Sequence, residues 1–416
     1  MRTKYLLSLG LFGLAMASTA ALAAADEKLK AAAEQAAPAL IETLQDMVMI
    51  ESGSGDVDGL RRMADFTEAR LQALGAKTER RKTTHGAGAD MVIGTFEGSG
   101  SRKLMLIAHM DTVYQKGILA SQPYHLDGVR IYGPGIADDK GGIAVILHAL
   151  QILKATGWRD YAKLTVSFNP DEEVGSIGSG EIIAELADQH DVVLSCEPTV
   201  AAPAAKFDQL LLGASGTASA TMEVKGRASH AGAAPDLGRN ALIELAHQLL
   251  QTRDIAKTIP GTQLNWTTAK AGTVRNQIPD TATAGGDVRV TVADGVARLQ
   301  AALDAKVKED KLIPDTETTV SIEVGRPAFV ASRAGRDLAR QAQAIYAELD
   351  RRLDLIEMTG GATDAGFANR DGKAAVVESF GLAGFGYHAR DEYIDTGSIV
   401  PRLYLMTRIL TELGKK

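Results

Sequence analysis

Four short runs, residues 104–108, 164–168, 192–196 and 374–377, are apolar nearly throughout. Continuous apolar stretches of that length predict strands covered on both faces, as in a parallel sheet. Between them the period changes. Ile143, Ile146, Leu147, Leu150 and Leu153 recur at helical spacing within residues 141–157, and residues 37–49 and 60–74 also read as amphipathic helices. Strands alternating with helices predict an α/β layer fold. Residues 213–326 read differently. Ala218, Ala220, Met222 and Val224 alternate with Ser219, Thr221, Glu223 and Lys225, the pattern of a strand with one wet face. A helix over 240–251 follows, then strands near 263–270 and 281–292, a helix carrying Val296, Leu299, Leu303 and Val307, and a strand near 318–324. The order β-α-β-β-α-β is that of a ferredoxin-like unit. Because another apolar strand and further helices come after it, it reads as an insertion.

The first 23 residues stand apart. Arg2 and Lys4 precede an apolar run from Leu6 to Met16, too short for an ordinary membrane span, and Ala21-Leu22-Ala23 is a small-x-small cleavage site. The segment predicts a bacterial export signal and a periplasmic or secreted mature protein, with no membrane attachment after its removal. Three parts follow: signal peptide 1–23, main domain 24–212 with 327–416, and insert 213–326. Lys and Arg number 45 against 52 Asp and Glu, a net charge of −7. Losing two cations with the signal leaves about −9. An acidic chain without a basic block lacks what a nucleic-acid binder needs. The single cysteine, Cys196, excludes an internal disulfide and a thiolate-built zinc site, so any metal must sit on His, Asp and Glu.

Such residues gather past the carboxyl ends of the predicted strands, where ligand crevices of open α/β sheets lie. The first strand runs into His109-Met110-Asp111, the second into Asp171-Glu172-Glu173, the third into Glu197-Pro198, and Asp138-Asp139 stand just before the long helix. Each has a bland alternative: a structural histidine, a surface pair of carboxylates, a solvated turn or a helix cap. Together they favour an oxygen- and nitrogen-ligated metal, with zinc the best chemical match and manganese or cobalt also compatible. The other histidines, His85, His125, His148, His190 and His247, read as structural or surface residues.

His109-Met110-Asp111, Gly135-x-x-Asp138-Asp139-Lys140-Gly141, Asp171-Glu172-Glu173-x-Gly175-Ser176, Glu197-Pro198 and Gly386-Tyr387-His388 resemble the co-catalytic di-zinc metallopeptidases. That family includes aminoacylases, desuccinylases, dipeptidases and glutamate carboxypeptidases, and the likeness is greatest to its secreted, folate-hydrolysing glutamate carboxypeptidases. The resemblance implies a mostly parallel-sheet peptidase domain with an inserted α+β dimerisation domain. It implies two Zn²⁺ per subunit, one on His109 and Glu197, the other on Glu173 and His388, with Asp138 bridging. Asp111 would orient His109, and Glu172 would be general base towards a hydroxide bridging the ions. His230 would donate to the oxyanion of the partner subunit's site. Asn276, Arg289 and Arg326 would hold the substrate carboxylate, with Gly361 and Thr363 lining the pocket. It also implies a cis peptide between Asp138 and Asp139.

The expected function is therefore exported hydrolysis of the amide bond to a C-terminal glutamate, in folates, methotrexate or N-acyl-glutamates, by a homodimer. One departure stands out: where the glutamate-specific branch has a lysine before the strand leading into the insert, this chain has Gln209, with Lys206 three residues earlier. An N-acyl-amino-acid amidohydrolase or dipeptidase is the alternative within the family. A non-catalytic periplasmic peptide or metal binder is the alternative outside it, against which an intact Glu172 argues.

Overall fold

The structure, a computed structural model, describes residues 24–84, 88–292 and 294–415; the expected signal segment and His85 lie outside the described residues. The four apolar runs form adjacent parallel strands, in the order Lys163–Asn169, Lys103–His109, Val192–Ser195 and Ala375–Val377. Two antiparallel strands, Lys77–Lys82 and Asp90–Glu97, extend the same sheet beyond Lys163–Asn169. All four residues of Val192–Ser195 are buried, as continuous apolar runs require when both faces are covered.

Helices supply the cover. Glu27–Val48, Lys140–Ala155 and Ile399–Gly414 pack on one another, and Val57–Leu74 lies against Asp90–Glu97. Lys140–Ala155 starts where Asp139 caps it, the carboxylate accepting from Gly142 N at 3.1 Å. The first helix begins at Glu27, well before the predicted residue 37, and carries Pro38 inside. Its true start is set by Asp26, whose side chain accepts from Lys28 N and Leu29 N.

A second, four-stranded antiparallel sheet has the order Thr262–Ala271, Thr281–Val290, Gly216–Lys225 and Glu317–Val324. Along Gly216–Lys225 burial alternates strictly, with Ala218, Ala220, Met222 and Val224 inward. These residues meet Leu245 of helix Ala241–Thr252 and Leu299, Leu303 and Val307 of helix Gly295–Glu309 in a core separate from the main one. The chain leaves the main sheet and returns to it side by side, Gly213–Ala214 pairing antiparallel with Phe329–Val330.

Two buried histidines give a pH signature. His148 Nε2 lies 2.9 Å from Thr43 Oγ1; His190 bonds Leu186 O through Nδ1 (2.6 Å) and Thr165 Oγ1 through Nε2 (2.8 Å). Burial pushes both down to about 4 from the ordinary 6.5, helped at His148 by the nearby Arg70. The unfolded chain takes up these protons first, so the stability the neutral rings contribute is present above pH 6.5 and is lost as pH falls from there to about 4. Chemical denaturation at stepped pH should show a loss of up to about 3 kcal/mol per histidine across that window. His190→Asn should flatten the slope; an unchanged slope in that variant would refute the assignment.

Candidate active site

His109 ends its strand fully inside the protein, 1% exposed. Its Nδ1 lies 3.0 Å from the Asp111 carbonyl oxygen and 3.3 Å from Asp111 Oδ1, which fixes the ring and aims Nε2 outward. Nε2 sits 2.9 Å from Asp138 Oδ1 and 3.6 Å from Glu197 Oε1. The other Asp138 oxygen, Oδ2, is 3.3 Å from His388 Nε2, which is 3.0 Å from Glu173 Oε2. Two three-residue groups result, His109–Asp138–Glu197 and Asp138–Glu173–His388, each with ligand atoms within 4.8 Å of one another and sharing Asp138. Asp138 precedes a cis peptide bond to Asp139, and His388 takes φ of +63°.

Glu172 belongs to neither group. The Asp111 carboxylate accepts from the backbone N–H of Glu172 (3.0 Å) and of Glu173 (3.1 Å), so one aspartate positions both glutamates and the His109 ring. The Glu172 carboxylate is only 6% exposed and pairs with Arg326 Nη1 at 2.7 Å. Arg326 also donates to the Ala362 carbonyl (2.6 Å) and, through Nη2, to the Glu172 carbonyl. Its guanidinium is thus engaged within the chain, so Arg326, expected to hold a substrate carboxylate, holds Glu172 in this structure.

The electrostatics follow from burial and crowding. Burial pushes the Asp138 carboxyl up, but hydrogen bonds with His109 and His388 outweigh it and leave it below the usual carboxylate range. Burial pushes His109 down, but Glu197, Asp111 and Asp138 reverse this and hold it well above 6.5. His388, bonded to Asp138 and Glu173, is pushed up to about 10. Burial raises Glu172 well above the usual range, opposed by Arg326 and His109, and raises Glu197 likewise, opposed by His109. Five carboxylates, Asp111, Asp138, Glu172, Glu173 and Glu197, thus crowd around two imidazoles and one guanidinium, a set that favours added positive charge. Oxygen and nitrogen donors, three per group with one shared and no thiolate, fit a pair of divalent cations such as zinc.

Both groups open on one cleft of about 590 Å³. Asp138, Glu172, Glu173, Glu197 and His388 line it from the main sheet, and Thr217, Arg289 and Arg326 from the side of the second sheet. Gly361 and Thr363 also reach it. Arg289 is half exposed there, with its Nε 3.0 Å from Asp287 Oδ2. His230 and Asn276 do not line the cleft: both are exposed, at the small two-stranded pair that Ser229–His230 forms with Gln277–Ile278. Gln209 also lies off the cleft lining; its backbone is held by Thr199 and Arg402. Of the pair Asp138-Asp139, for which a helix cap is one reading, Asp139 is the cap and also accepts from His109 N at 3.3 Å. Sequence reasoning missed Glu392, whose buried carboxylate accepts from the backbone around Asp138. An acidic residue beside a buried strand is the one signal that could have found the latter.

Comparison with known proteins matches residues 105–412 to the model of peptidase family M20/M25/M40. The chain belongs to this family. Across M20 relatives, it is 45% identical to "Carboxypeptidase G2" of Pseudomonas sp. (strain RS-16) over 400 residues, 96% of this chain and 95% of that one. It is 31% identical to a succinyl-diaminopimelate desuccinylase of Maricaulis maris over 68% of its own length and 73% of that protein's. Among solved structures, an M20 family metallo-carboxypeptidase of Sulfolobus solfataricus superposes with TM-score 0.71 at 16% identity, over 91% of this chain and 99% of that one. A tripeptidase of Staphylococcus aureus does so with TM-score 0.75 at 20% identity, over the same shares. The M20 chain described here is a metallo-carboxypeptidase, a hydrolase acting on a peptide or small-molecule substrate. No helix among its described residues is long and apolar enough to cross a membrane.

Proposed function

We propose that this chain is an exported, zinc-dependent glutamate carboxypeptidase. It hydrolyses the amide bond to a C-terminal glutamate in folates, methotrexate and N-acyl-glutamates, as a homodimer through the inserted unit 213–326. The single observation that carries the reading is the shared Asp138: two three-ligand groups meet on it and face Glu172 across one cleft. The 45% identity to a carboxypeptidase over nearly the whole chain supports the same direction.

In this reading His109, Asp138 and Glu197 hold one zinc ion, and Asp138, Glu173 and His388 the other. The ions, when bound, polarise the scissile carbonyl and acidify water. Glu172 accepts the attacking water's proton and returns it to the leaving nitrogen. Arg326 aims Glu172 and opposes the upward push of burial on its carboxyl; Asp111 fixes the backbone that carries it. Arg289, which lines the cleft, takes the substrate's carboxylate, for which its planar fork is suited. Asn276 assists it, and Gly361 and Thr363 bound the substrate. His230, exposed and away from this chain's own cleft, donates to the oxyanion from the partner subunit.

The test is release of free glutamate from folate or methotrexate, with and without a chelator. Release that the chelator abolishes and zinc restores is expected. Turnover of acetylated amino acids without glutamate release would instead support an N-acyl-amino-acid amidohydrolase, the reading that Gln209 in place of a lysine favours. Chelator-insensitive turnover would overturn both.

A further inference from the structure

Glu392 is fully buried at the start of strand Tyr393–Asp395 and has no place in either donor group. Its Oε1 accepts from Ala137 N at 2.8 Å and from Asp138 N at 3.0 Å, and its Oε2 accepts from Gly135 N at 2.9 Å. The Tyr114 hydroxyl lies 2.7 Å from the same Oε2 and 2.6 Å from the Ala389 carbonyl. The loop that ends in Asp138 is therefore folded around one carboxylate. Gly135 makes the turn with φ of +71°, and a Cβ there would come within 2.3 Å of Thr112 Cγ2. From the opposite side Lys140 Nζ donates to the Pro134 carbonyl at 3.1 Å.

Glu392 and Tyr114 together tie three further stretches of chain. Asp138 is the residue both groups share, Ala389 adjoins His388, and Tyr114 follows Asp111 by three positions. The two carboxylate oxygens accept from three backbone N–H donors, two on Oε1 and one on Oε2, whereas an amide presents only one accepting atom and would leave one of these oxygen positions without an acceptor.

Resting on the two-ion reading above, we propose that Glu392, braced by Tyr114, is a positioning residue that sets Asp138 and His388 at the spacing a metal pair requires. The ion held by Asp138, Glu173 and His388 depends on it most, because both loops tied by Tyr114 and Glu392 carry its ligands. Partners of this kind, once removed, typically cost 10- to 100-fold in metal affinity or activity.

The experiment uses full-length, zinc-loaded protein. Wild type, Glu392→Gln and Tyr114→Phe are titrated with a graded chelator, and zinc per chain is read by elemental analysis beside kcat, KM and circular dichroism. Wild type should hold two ions. In Glu392→Gln one of them should leave at roughly 10- to 100-fold lower chelator strength, with kcat reduced, KM little changed and excess zinc restoring turnover. Tyr114→Phe should shift release in the same direction by less. A folded Glu392→Gln that releases both ions as wild type does would overturn the inference while leaving the two-ion reading intact. Where Glu392→Gln does not fold, wild-type release in Tyr114→Phe overturns it in the same way. A wild type holding fewer than two ions would overturn the reading beneath it.

Discussion

Glu172→Gln is expected to lower kcat by about 10²- to 10⁴-fold, the usual contribution of a positioned proton acceptor, while leaving metal content unchanged. Glutamine keeps the length of the side chain and an oxygen for Arg326 Nη1, now 2.7 Å from Glu172 Oε1. The bond from the residue 172 N–H to Asp111 is a backbone bond and survives. What disappears is the ability to take a proton. Neither donor group includes Glu172, so elemental analysis should find the same ions per chain in variant and wild type. Turnover within a few-fold of wild type would remove Glu172 from the reaction.

Asp138→Ala should have the larger effect on composition. Its two oxygens face different groups, Oδ1 at 2.9 Å from His109 and Oδ2 at 3.3 Å from His388. One substitution therefore leaves two ligands in each group, His109 with Glu197 and Glu173 with His388. Both ions should be lost or greatly weakened, whereas Glu197→Ala or Glu173→Ala should release one. The Lewis-acid contribution is worth several kcal/mol, so activity should fall by roughly 10³-fold or more. Metal counts separate the outcomes: an Asp138→Ala protein that keeps one tightly held ion would show that the carboxylate is not shared.

The parallel part of the main sheet was legible because residues such as Val192–Ser195 are buried on both faces and must be apolar at every position. The antiparallel edge was not. Lys77–Lys82 reads Lys-Thr-Glu-Arg-Arg-Lys, and none of its residues is buried. An edge strand with solvated faces carries no hydrophobic period to read, and its charges suit an edge that must not recruit another chain. The amphipathic pattern places a helix over 37–49, yet the Glu27–Val48 helix starts ten residues earlier, capped by Asp26, and runs through Pro38. Candidate ligands could be found because they cluster at strand ends within short motifs. Arg326 and Glu172, 154 positions apart, meet through tertiary packing, and Glu392 works by accepting from backbone amides. Neither relation leaves a trace in spacing.

The paired strands Gly213–Ala214 and Phe329–Val330 join the two sheets as a double ribbon, not as two separate tethers. Arg289 sits beside that ribbon, opposite Thr217, and Arg326 lies three positions before Phe329, whereas the Ser229–His230 strand lies beyond the far end of the ten-residue Gly216–Lys225 strand. That length is about 30 Å, so a rotation of roughly 10° at the ribbon would displace the Ser229–His230 strand by about 5 Å. The same rotation scarcely moves groups at the pivot. The fold thus puts Arg289 and Arg326 at the short arm and His230 at the long arm of any such rotation.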